Sequence, residues 1–510
     1  MVGLEKLLIP VREDELTLEK IQEYLPTIMQ AFDINRQKVR TEYETYKGCH
    51  SILNKQRPND DVSDINNKVV EQHLWAMVNF KCGYAYGNPL KFAEKETTNS
   101  EQMTFLNRYI ESVNFRGLCD KVAEWVYATG VGYLFTQPKS MEDPEYDAPF
   151  ECYHIESDKC AKVYSSYLGN KPLFDLVVTP IKKFINGAWN LADYYILSIY
   201  TPTVYYEYEY NISISALSEP QKREGRNGYK LLPLTEFYAY NDKVGMVESL
   251  EKLQNALDSI DSDSLDNIQE TVNQLLIFIN AKLGDTNEQK KQTLIDARKN
   301  GALEVFDQSK DIKADVKTLI TQLNHADVNV LKNQLKADMY ASWGVPLAMS
   351  GIKSGNVTQG GSEVSNGWEH AYSTILKENN NMMTGFKSWL KTILWICKNM
   401  PNCKVTELNE GDIEIKYNIA RSNNMLTKTQ SYGNLVDRNV PPSVALDICE
   451  LTGDPQAIGK MIENYKAKMQ AEQDAREERL AQQNQGINGS NTENIQRTNS
   501  EVVKTQENKE

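Results

Sequence analysis

The sequence predicts a mixed α+β, helix-rich protein. Three observations carry that reading. Apolar residues recur at three/four spacing over long stretches, most clearly Ala371, Tyr372, Ile375, Leu376, Met382, Met383, Phe386, Trp389, Leu390, Ile393 and Leu394. Runs rich in β-branched and aromatic residues, Phe174–Val178, Tyr194–Tyr200 and Val204–Tyr210, read as strands separated by turns. Between two helices lies a Gly/Ser/Asn-rich tract, residues 350–362, too polar to bury and too rich in glycine to favour one conformation.

Along the chain, residues 14–48 read as helix on the spacing of Leu16, Ile21, Leu25, Ile28 and Met29, with Pro26 expected to break or kink it. Residues 66–82 carry a second stripe, and Gly83-Tyr-Ala-Tyr-Gly-Asn-Pro89 is expected as the turn that ends it. Helices follow at 101–113 and 117–129, the latter stopped by Gly130 and Gly132. After the strand-rich region, Val244, Val247, Leu250, Leu253 and Leu257 mark a helix to about Ile260. The cluster Asp258, Asp261, Asp263 and Asp266 is expected to break it, before an apolar helix running to Leu283. A polar helix at 286–300 closes on Gly301, and strands are expected at 303–306 and 312–319. Helix 327–342, with Asp327 as N-cap, precedes the glycine-rich tract, and the long helix starts near 365–368. Asp412–Asn418 alternates as a strand, short helices follow at 426–436 and 442–451, and a charged helix occupies about 454–484. The tail from Gln485 has almost no apolar residue and is expected to be disordered.

Composition narrows the function. A chain of 510 residues has room for about three to four domains, and 40% hydrophobic content supplies a core. A net charge of −14 argues against a surface that coats nucleic acid, though not against one that lets it slide past. The eight cysteines form no CxxC pair, so buried free thiols in a reducing compartment are expected. No secretory signal and no membrane span is expected.

Several sharper readings fail on their residues. Gly355 to Ser362 nearly spells a phosphate-binding loop, but Gly361 stands where the lysine is needed. Cys152, His154 and Cys160 fit no common zinc spacing. Asp261-Ser-Asp263-Ser-Leu265 lacks the third oxygen ligand and the turn glycine of a calcium loop. The five histidines stand beside no nucleophile motif, so no catalytic residue, cofactor or metal is expected.

The order of these parts resembles the portal proteins of tailed bacteriophages, in the branch typical of siphophages. Four passages carry the resemblance: the helix into Gly83–Pro89, the stem-like helix Val244–Leu257, Tyr340-Ala-Ser-Trp-Gly-Val-Pro346, and the Gly/Ser tract with the long helix from Trp368. Together they cover roughly residues 20–450. The resemblance implies a portal fold with wing, stem, clip and crown regions around a central channel. By segment, the wing is 1–242 with 402–421 returning to it, and the stem helices are 243–262 and 327–346. The clip is 263–326, the tunnel loop 347–366, the long wing helix 367–401, the crown 422–485 and the tail 486–510.

It further implies a homo-oligomeric ring, typically a dodecamer, at a capsid vertex of the virion, assembled in the bacterial host cytoplasm. Such a ring serves DNA packaging and ejection as channel and head-tail connector. Implied partners are double-stranded DNA, bound non-specifically, the terminase large subunit, major capsid and scaffolding proteins, and head-completion adaptor proteins. Lys353, Ser354, Asn356, Thr358 and Gln359 are the candidate tunnel-loop residues, and Lys332 and Lys336, four apart on one helix face, are candidates to face the channel. The alternative is an intracellular multidomain scaffold or adaptor with long packed helices and no DNA channel.

Overall fold

The structure is a computed structural model. It describes residues 3–56, 65–95, 100–181, 183–185, 188–190, 194–211, 216–217, 221–226, 231–272, 275–279, 281–282, 286–300, 306–307, 315–319, 325–350, 360–417, 419, 425–449, 451, 458–477 and 479. The chain divides into two units, 1–420 and 421–510.

The larger unit opens with a short strand, Leu7–Ile9, and a long helix α1, Leu18–Tyr46. Thr17 caps α1, its hydroxyl accepting from the Lys20 N–H at 3.4 Å. Pro26 was expected to end or kink this element, yet the helix runs through it. Proline removes one backbone donor, but Leu25 and Ile28 on either side are fully packed and hold the helix in place. That apolar face covers a sheet in which strand Leu7–Ile9 runs parallel to Cys160–Ser165. Next in order come Pro172–Pro180, Tyr194–Tyr200 and Val204–Asn211, all antiparallel. Val163, Phe174, Leu176, Leu197 and Ile199 point into this core, together with Ile21 and Phe32 of α1.

The second half of α1 carries Glu42, buried on the side facing Glu248. Burial raises the Glu42 carboxyl to about 8; Lys38 opposes this and Glu248 adds to it. Lys38 lies 3.9 Å from Glu42 but 3.0 Å from Glu248, so its charge is spent mainly on the latter. The folded state therefore holds a proton that the unfolded chain releases near its ordinary value of 4.5. This contribution to stability is full below about 4.5 and is lost as pH rises through about 8. Glu42→Gln is expected to flatten the decline of melting temperature between pH 5 and 8; an unchanged slope contradicts a protonated Glu42.

A second core gathers the helices. α2 spans His73–Tyr86, α3 Ser100–Ser112 and α4 Phe115–Thr129. The segment Gly83–Tyr86, expected as a turn, is the last turn of α2, because Cys82, Tyr84, Ala85 and Tyr86 are all buried and favour the helical continuation. α4 ends on Gly130 at φ 90°, where any side chain would strike the Lys243 carbonyl. A three-stranded sheet, Gly132–Pro138 between Phe150–Ile155 and Leu234–Phe237, packs on these helices.

α5 spans Met246–Val272 without interruption, so the acidic cluster does not break it, and Leu275–Ile279 forms a strand rather than a helix. That strand pairs antiparallel with Asp315–Leu319. α6 is Asn287–Asn300 and α7 is His325–Ser342. Asp327 lies inside the first turn of α7 rather than at its cap. Gly301, the expected end of α6, lies outside the described residues.

The 40-residue helix α8, Gly360–Asn399, begins earlier than 365–368 and takes in Gly360, Gly361 and Ser362. At 1.5 Å per residue it is about 60 Å long. Its inner face buries Met382, Phe386, Trp389, Leu390 and Ile393. Trp389 stacks on Phe115 with ring centroids 4.0 Å apart. Gly385 is required where α8 crosses the sheet, since a Cβ there would lie 2.5 Å from the Phe237 ring. A strand at Ile413–Lys416 pairs with Lys91–Glu94.

In the smaller unit, α9 spans Met425–Asp437 and α10 Pro442–Ile448, and residues 458–477 form a further helix.

Candidate functional site

The features expected to matter lie around α5, α7 and the connection into α8. α5 and α7 pack side by side and run in opposite directions. The Trp343 indole N–H donates to Ser249 Oγ at 2.6 Å, and the Lys332 ammonium meets Asp261 at 2.5 Å. A third element ties them together. Residues 67–71 run extended along α5, and every second backbone N–H finds an acceptor on the helix. Asn67 N–H donates to Asp266 at 2.8 Å, Val69 N–H to Ser262 at 3.0 Å, and Glu71 N–H to Asp258 at 3.0 Å. The match is geometric: two residues of extended chain advance about 6.6 Å, and four residues of helix about 6 Å.

Asp258 is the most heavily engaged of these groups. Its other oxygen lies 2.5 Å from His50 Nδ1, and the Gln254 amide donates to it at 2.9 Å. His50, Gln254 and Asp258 are all buried. The acidic residues that looked like a helix break are therefore one polar face of α5, with Gln254, Asp258, Ser262 and Asp266 at fourfold spacing. That spacing was visible in the sequence. Glu71 carried no sequence signal, because its partners lie about 190 and 260 residues away.

Glu71 links the extended segment to α7. Its carboxylate meets Lys332 at 2.5 Å and Lys336 at 2.9 Å, and lies 2.5 Å from His73 Nε2. Burial works to raise the Glu71 pKa. Hydrogen bonds from His73, Asp261, Lys332 and Lys336 outweigh it and hold the group well below the usual carboxylate range. Asp261 moves the other way, raised by burial and by the neighbouring Glu71. Burial lowers the Lys332 ammonium, but its bonds to Asp261 and Glu71 raise it further. Lys332 and Lys336 thus lie on α7 as expected, with side chains only 21% and 14% exposed and their charge balanced inside the subunit.

After α7, Trp343-Gly344-Val345-Pro346 turns the chain. Gly344 has φ 61°, and Trp343 and Val345 are buried. One short helical turn follows at Leu347–Ser350. Lys353, Ser354, Asn356, Thr358 and Gln359 lie outside the described residues.

The other sequence candidates fall apart on inspection. Cys152 lies in the helical core, its Sγ 3.6 Å from Thr136 Oγ1, while Cys160 belongs to a separate cluster with Val131 and Leu234. Asp261 and Asp263 lie within α5, not in a loop. Among the described residues there is no group of three His, Cys, Asp or Glu able to hold a metal, and no helix long and apolar enough to cross a membrane.

A site whose charged groups are all turned on one another binds elements of the chain together rather than performing chemistry; the class it defines is a structural subunit. The sequence matches the family described as "Phage portal protein, SPP1 Gp6-like" over residues 27–479, and the chain belongs to that family. It is a portal subunit of a phage-type particle, placed at a capsid vertex in a homo-oligomeric ring. No curated protein matches the chain. Among solved structures it is similar to a chain in the neck of an empty GTA particle, at 11% identity and TM-score 0.42, covering 74% of this chain and 90% of that one. It is also similar to a chain in the virion of a native gene transfer agent, at 12% identity and TM-score 0.41, covering 74% and 90%. A third is in the neck of a native GTA particle with C12 symmetry, at 11% identity and TM-score 0.41, covering 76% and 96%.

Proposed function

We propose that copies of this chain, typically twelve, close around an axial channel through which double-stranded DNA enters and leaves the capsid. The family match over residues 27–479 carries this reading, and it sets the scaffold or adaptor alternative aside. In it, α5 and α7 are the stem helices, the residues between them the clip, and 351–359 the core of the tunnel loop. The wing comprises 1–242 and 402–421, the long wing helix lies within 360–401, and the crown within 422–485. The first stem helix extends to Val272, ten residues beyond the boundary expected from sequence.

The electrostatics suit conduction. A chain of net charge −14 repeated around a ring repels a polyanion and keeps it from adhering. Lys332 and Lys336 line the channel as balanced charges, since Glu71 and Asp261 already hold them. Phosphate contact then falls on the loop, with Lys353 as its cation and Ser354, Asn356, Thr358 and Gln359 as neutral hydrogen-bonding neighbours. The subunit hydrolyses nothing itself. A terminase large subunit docked on the ring supplies the energy, head-completion adaptors dock later, and assembly with capsid and scaffolding proteins takes place in the host cytoplasm.

Lys353→Ala, or removal of residues 354–359, which spares α8, is expected to cut packaged DNA several-fold while ring assembly stays intact. Packaging at the wild-type level in both variants contradicts the loop's role.

A further inference from the structure

The smaller unit carries two bare apolar surfaces. Helix 458–477 has Ile458, Met461, Tyr465 and Met469 along one side, with Met461 68% and Tyr465 64% exposed. On α10, Val444 and Ile448, one turn apart, are 46% and 62% exposed. A twenty-residue helix so nearly bare gains little stability from its own propensity and needs its apolar stripe covered. The stripe spans about 17 Å. Its charges along 458–469 are Lys460, Lys466 and Lys468 against Glu463, whereas α10 carries Asp447 alone. The two surfaces are thus apolar at their centres and opposite in charge at their edges.

We propose that in the assembled ring the stripe of one copy packs on α10 of the next copy. Two different patches meeting in this way make a heterologous contact, the kind that closes rings when the rotation allows. A single self-complementary patch would stop at a dimer. Contact at the Gly459 end is already taken within the unit, where a Cβ on Gly459 would lie 2.6 Å from Ser443 Cβ. Tyr465 and Met469, further along the rod, are free of it and available to the neighbour. This inference rests on the ring reading and adds the crown as a site of subunit adhesion.

The test places the photoreactive amino acid p-benzoylphenylalanine at position Tyr465 of the full chain. Irradiated rings are expected to give covalent dimers on a denaturing gel, with the adduct mapping to residues 442–449 of a second copy. Adding Ile448→Asp is expected to reduce those dimers at least fivefold. An adduct within the same chain, an adduct on another segment of the neighbour, or no adduct in rings that sediment normally overturns the crown contact while leaving the ring reading intact. Unmodified chains that sediment only as monomers overturn the ring reading itself.

Discussion

Lys81→Met is expected to destabilise the larger unit by about 3–5 kcal/mol, the usual cost of leaving a buried charge without its partner. Lys81 Nζ lies 2.8 Å from Glu378 Oε1, and both side chains are fully buried. The Tyr240 hydroxyl donates to the same carboxylate oxygen at 2.7 Å, and the ammonium also sits over the rings of Tyr127 and Trp343. Burial lowers the Lys81 pKa, while Glu378 opposes that shift by attraction and hydrogen bonding. Methionine fills similar space but leaves Glu378 with the Tyr240 hydroxyl alone. The double variant Lys81→Met with Glu378→Leu is expected to recover most of the loss, because an apolar pair of similar volume has no charge to desolvate. Urea unfolding measures both. A loss below about 1 kcal/mol for the single variant, against the buried-pair cost expected here, would sink this account of how α2 fixes the register of α8.

The second large effect is expected at Asp258. Asp258→Ala removes the acceptor for the Glu71 N–H and the Gln254 amide and the partner of His50 in one change. Each orphaned buried polar group costs about 1–3 kcal/mol, so a total loss of about 3 kcal/mol or more is expected. Asp263 offers the control. It is exposed on the same helix and meets only Lys55, at 3.1 Å, so Asp263→Ala is expected to change stability by about 0.5 kcal/mol or less. Equal effects at the two positions would return the acidic cluster to a merely solvated helix face. The difference matters for function, because the ladder from 67–71 to α5, extended through Glu71 to α7, makes the two stem helices one rigid strut.

What was legible in the sequence follows from how local each signal is. α4 and the inner face of α8 were readable because periodic burial writes itself into every third or fourth residue. The strands 172–180, 194–200 and 204–211 were readable because alternating aromatic and β-branched residues fit a half-buried sheet. α5 was misjudged because Asp258 and Asp266, judged alone, are poor core residues. Only the distant N–H groups of Glu71 and Asn67 make them suitable. Pro26 and Gly83 misled in the same way, since tertiary packing overrode local preference. Asn379, which interrupts the α8 stripe, accepts from the Tyr86 hydroxyl at 3.0 Å and so has a partner no local reading could supply. Lys332 and Lys336 were placed on the right helix, but their engagement with Glu71 needed the fold.

The most direct measurement is electron cryomicroscopy of the assembled full-length chain. The account predicts a closed ring with a central passage, α5 and α7 forming its wall, and residues 351–359 at the narrowest point. Density that puts those residues on the outer rim, or an assembly with no opening along its axis, contradicts it.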